Sequence, residues 1–158
     1  MLTKGQYWVG DPCYIIGDRD GYDWNEVLVA TGYFGEYKPG HTESSEDYDP
    51  EKCDGYFVLP ARPHETEGVK IFCSSTAYGD GCYPDQLGNE YAVDAGLICA
   101  FPLDRLVDPP PNRLGASHQF HADFEAFPCD DDGTIRIGSV QIQTGYEEPE
   151  EQIDEWAL

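Results

Sequence analysis

Three aspartates sit in turns that carry glycine or proline: Gly10-Asp11-Pro12, Gly79-Asp80-Gly81 and Asp94-Ala95-Gly96. Loops at one rim of a β-barrel or sandwich bring such residues together, and two carboxylates there would act as acid and base or hold a divalent ion. Asp11, Asp80 and Asp94 are therefore the candidate catalytic set of a carboxylate- or metal-assisted hydrolase. Aspartate in such turns is also what side-chain-to-backbone hydrogen bonding demands with no catalysis at all, and that structural reading is preferred. Ser74-Ser75-Thr76 adds hydroxyls. The chain has neither a Gly-x-Ser-x-Gly elbow nor a P-loop glycine pattern, which removes the serine-hydrolase and nucleoside-triphosphatase readings.

A second acidic stretch, Asp130-Asp131-Asp132-Gly133-Thr134, looks like the DxDGT nucleophile motif of haloacid-dehalogenase phosphatases. That motif closes the first strand of a long α/β domain, whereas little chain follows Thr134 here and Pro128 interrupts the apolar run, so a hairpin turn is the expectation. As a calcium loop the stretch lacks the bidentate glutamate: the twelfth position from Asp130 is Gln141. His118 and His121 stand beside Asp123 like a metal trio, but on a strand the two histidines point to opposite faces. No metal site and no cofactor are expected.

Composition limits the partners. Of 158 residues, 31 are acidic and 9 basic, a net charge of −22. Such a molecule repels DNA, RNA and anionic membranes, and the partner its field selects is a basic protein. The densest acid lies at Glu43, Glu46, Asp47 and Asp49 and again at Glu147, Glu148, Glu150 and Glu151; these are the candidate partner-binding residues. Six cysteines are scattered singly with no CxxC pair, and neither an apolar leader nor a membrane-spanning stretch is visible. Reduced thiols and a cytoplasmic location are expected.

The elements that must position these residues read as strands. Val69 to Leu103 packs turn signals between apolar runs and predicts a β-meander, with Leu97 to Phe101, apolar without alternation, as its central strand covered on both faces. Further strands are expected at Tyr7 to Val9, Cys13 to Ile16 and Gly55 to Leu59. Two more, His118 to Phe127 and Thr134 to Thr144, are expected to pair with each other, with a bulge at Gly138-Ser139. Asp23 followed by Glu26 resembles a capping box and predicts one short helix to Thr31. The whole is expected to be mainly β, an antiparallel sandwich or partly open barrel. One β-rich domain would span 1–146 and an acidic tail or short helix 147–158.

The strings WVGDPCYII and STAYGDGCYPDQLGNEYAVDAGLI resemble a family of small uncharacterised proteins of bacteriophages and scattered bacterial genomes, with GDPCY near the start and TAYGDGxY and VDAGLI in the middle. The resemblance implies a phage-type origin, hence the host cytoplasm, and a shared core. It implies no mechanism. Small, very acidic phage proteins often act on host proteins, so the expected function is non-enzymatic binding of a basic host protein, with the aspartate hydrolase as the alternative.

Overall fold

The computed structural model describes residues 1–15, 54–59, 61–62, 64–106 and 108–145. The helix expected at 23–31 and both partner-binding clusters, Glu43 to Asp49 and Glu147 to Glu151, lie outside the described residues.

Ten strands are described: β1 (Gly5–Gly10), β2 (Gly55–Leu59), β3 (Val69–Ser75), β4 (Gly81–Pro84), β5 (Glu90–Val93), β6 (Leu97–Pro102), β7 (Ala116–Phe120), β8 (Ala126–Phe127), β9 (Thr134–Ile137) and β10 (Val140–Gln143). The protein is mainly β, with antiparallel pairing throughout. A five-stranded sheet runs in the order β2-β3-β6-β1-β7, beside a three-stranded sheet β10-β9-β8 and the hairpin β4-β5. β6 is the middle strand, and its residues from Leu97 to Phe101 are all buried. A strand covered on both faces has no solvent side to make polar, which is why its sequence does not alternate.

The two faces of the large sheet carry separate cores. Tyr7, Val9, Phe72, Ile98 and Ala100 face one way and pack against Tyr83, Tyr91 and Val93 of the hairpin and Ile135, Ile137 and Ile142 of the small sheet. A bridge between Asp85 and Ile142 joins these two smaller pieces. Gln86 strengthens the join, donating to the Ser139 carbonyl and accepting from the Gln141 N–H. The result is a sandwich that does not close into a barrel. Trp8, Val69, Ile71, Cys73, Cys99 and Phe101 face the other way, with Ile15 and Leu59.

Several local expectations change. The stretch 69–103 is not a simple meander: β3 pairs with β6, and β4-β5 folds out between them onto one face, because both faces of β6 must be covered. Cys13 and Tyr14 belong to a 3-10 turn, Pro12–Tyr14, capped by Asp11, since proline removes the N–H a ladder would need. The run from His118 to Phe127 breaks after Phe120. β7 pairs with β1, and only Ala126-Phe127 pairs with β9. Gly138-Ser139 is a two-residue hairpin loop joining Ile137 to Val140, with Gly138 at φ 58°, where glycine relieves the strain.

Candidate functional site

Asp11 leaves β1 fully buried, and three backbone donors account for that. Its Oδ1 accepts the Cys13 N–H at 2.9 Å, closing the 3-10 turn, while Oδ2 accepts the Asp94 and Ala95 N–H groups at 2.7 and 2.6 Å. One carboxylate thus ties the end of β1 to the turn between β5 and β6. A buried carboxyl bonded this way is a structural latch, with both of its oxygens occupied by backbone donors.

Asp80 and Asp94 are exposed. Asp94 is brought to Asp11 through its own backbone N–H, and the Cys13 thiol is raised most by burial, followed by Asp11, then Asp94 and Asp80. The Tyr14 phenol is raised by burial first and by Asp94 next. A thiol held neutral by burial and surrounding carboxylates is a poor nucleophile. No group of three or more histidine, cysteine or acidic side chains is placed to hold a metal ion among the described residues.

The Asp130 stretch is a hairpin turn between β8 and β9. Asp130 Oδ1 accepts the N–H groups of Asp132 and Thr134 at 2.9 and 3.0 Å, and Oδ2 pairs with Arg136. Both Asp130 oxygens are bonded within the hairpin, the structural role expected of the stretch.

His118 has a different partner from the one its neighbourhood in sequence suggests. The Tyr91 hydroxyl donates to Asp85 Oδ2 at 2.6 Å and lies 2.8 Å from His118 Nε2. Asp85 also accepts the Leu87 and Asn89 N–H groups and the Asn89 side-chain amide. Burial alone would raise its pKa, yet Tyr91 and Asn89 hold the carboxyl below the usual range. With the phenol proton given to Asp85, His118 must carry its proton on Nε2 and donate it to the Tyr91 oxygen. Burial lowers the His118 pKa, consistent with that neutral tautomer. The turn grammar of residues 84–89 points to Asp85, but nothing local links Tyr91 to His118; the pairing exists because β5 and β7 meet the same core.

The exposed acids Asp80, Glu90, Asp94, Asp104, Asp131 and Asp132 take part in no ion pair among the described residues, where the pairs are Arg62–Glu65, Arg105–Glu65 and Arg136–Asp130. Cys13, Cys73, Cys99 and Cys129 are free thiols. Among the described residues no helix is long and apolar enough to cross a membrane. Comparison with protein-family models, with curated proteins and with solved structures found no match.

Proposed function

We propose that this protein is a non-enzymatic binding protein, phage-encoded and working in the host cytoplasm, that engages a basic host protein through its negative surface. The observation that carries the reading is the net charge of −22, together with exposed acids left without basic partners on the described surface. A field of that size steers a cationic partner and excludes nucleic acid itself. A nucleic-acid-binding host protein, whose basic groove the acidic surface would occupy, has the matching chemistry. The binding reading is preferred to the hydrolase alternative built on Asp11, Asp80 and Asp94, because the Asp11 carboxyl is buried and accepts from three backbone N–H groups.

The test is capture of basic proteins from host lysate by the immobilised full chain at low salt and again near 1 M salt, where the screening length falls to about 3 Å. Basic proteins should be retained at low salt and released at high salt, and duplex DNA should compete for them. Charge reversal across Glu43, Glu46, Asp47 and Asp49, or across Glu147, Glu148, Glu150 and Glu151, should weaken capture without lowering the thermal midpoint. Failure to retain any basic protein at low salt, or retention indifferent to salt, overturns the proposal.

A further inference from the structure

Two of the six cysteines stand directly opposite each other inside the large sheet. Cys73 of β3 and Cys99 of β6 are register partners, and both are buried in the core on the Trp8 face, among Val69, Ile71 and Phe101. The kind of pairing follows from a proline. Pro102 stands opposite Tyr7 and has no N–H, so those two residues cannot exchange a pair of backbone hydrogen bonds. Antiparallel pairs alternate, which makes Trp8–Phe101 and Gly10–Cys99 the hydrogen-bonded pairs between β1 and β6. Cys99 therefore directs its N–H and C=O to Gly10 and meets Cys73 as a non-hydrogen-bonded pair, the class in which opposed side chains lie closest.

Pairs of that class hold their Cα atoms about 4.5 Å apart, inside the roughly 4.4–6.8 Å range that a disulfide spans. The two thiols already meet: the Cys99 pKa is pushed well up by burial first and next by a hydrogen bond with the Cys73 thiol. Their surroundings in this core are aliphatic and aromatic side chains, so Cys99 stays protonated at neutral pH and the pair is oxidised slowly. A bond between the two sulfurs joins the middle strand to β3 and closes the stretch of chain that carries the β4-β5 hairpin.

We propose that Cys73 and Cys99 are a redox-responsive cross-strand pair, oxidised reversibly by hydrogen peroxide to a disulfide that staples β6 to β3. One thiol takes an oxygen from the peroxide, becoming a sulfenic acid and releasing water; the other sulfur then attacks it, forming the S–S bond and releasing a second water. The two thiol hydrogens leave in those waters, and two electrons pass from the sulfurs to the cleaved O–O bond. The test holds the folded full chain in dilute hydrogen peroxide overnight, blocks the remaining thiols and maps proteolytic peptides by mass without reductant. The expected product is a peptide pair linked from Cys73 to Cys99, lighter by two hydrogens than the reduced pair and separated by dithiothreitol. The thermal midpoint should rise by about 5–10 °C, since closing the loop restricts the unfolded chain, and should return on reduction. Cys73→Ala should abolish that rise, whereas Cys129→Ala, at the margin of the other core, should keep it. Should Cys73→Ala fail to fold, the peptide map of the natural sequence decides. Absence of the Cys73–Cys99 link, a link from either to a different cysteine, or a linked chain whose midpoint does not rise overturns the proposal.

Discussion

Asp11 is the residue whose chemistry is most misleading when isolated from its surroundings, because a turn carboxylate and a buried latch have the same local sequence. The two roles separate under mutation. Asp11→Asn replaces one acceptor oxygen by an amide donor that must face either the Cys13 N–H or those of Asp94 and Ala95. It should cost roughly 1–3 kcal/mol in urea unfolding. Asp80→Asn and Asp94→Asn change exposed side chains and should stay within about 0.5 kcal/mol; equal losses at all three positions would contradict the latch. Glu65 makes a pH prediction. Its side chain is only 9% exposed and meets both Arg62 and Arg105. The Arg62 hydrogen bond is the foremost cause that holds its carboxyl well below the ordinary glutamate value. A depressed pKa stabilises the fold above the unfolded value, near 4.3, and that contribution drains away as pH falls toward the folded value. Urea midpoints of Glu65→Gln should therefore lie below those of the natural sequence at neutral pH, with the gap narrowing below about pH 4. A gap constant with pH would show that the ion pairs contribute nothing.

At the scale of elements, β1 depends on how closely its neighbours approach a fully buried indole. Trp8 is 0% exposed. A Cβ on Gly10 would stand 2.3 Å from Trp8 Cη2, and one on Gly115 would stand 2.6 Å from Trp8 Cζ2 and 2.3 Å from the Val9 carbonyl oxygen. Both glycines are there for space, since neither carries a positive φ. Gly10→Ala should destabilise by about 1–3 kcal/mol through overpacking. Because the three atoms nearest such a Cβ at Gly10 all belong to the indole, Trp8→Phe should relieve part of that cost, a coupling that a double-mutant cycle in urea would measure. Gly115→Ala also meets backbone and should stay costly in the same background. Independent, additive effects of Gly10→Ala and Trp8→Phe would show that the indole is not what the glycine accommodates.

For the whole molecule, −22 charges on 158 residues repel one another in the compact state more than in the unfolded chain. Added salt screens that repulsion, from a length of about 10 Å at 0.1 M to about 3 Å at 1 M. The thermal midpoint should therefore rise with sodium chloride, the same change that releases a basic partner. Stability and partner binding move in opposite directions under salt, which separates loss of binding from loss of fold. A midpoint flat or falling with salt would mean that the acids are already compensated.

The sequence by itself determined the mainly β class, the middle position of β6 and most turns between strands. These rest on short-range causes: an apolar run without alternation needs cover on both faces, and Gly96, Gly133 and Gly138 adopt positive φ at the reversals. The excess of acid over base was equally plain, being a count. Only the tertiary structure decided which strand pairs with which. It set β4-β5 outside the ladder, sent β7 to β1, and broke the run of 118–127 that alternation had joined. Long-range burial makes those choices, and a period of two is the same for every partner a strand could take. The same reason hides the roles of particular residues. Asp11 meets the β5–β6 turn and Tyr91 meets His118 across elements distant in sequence, so no spacing along the chain records the latch or the tautomer.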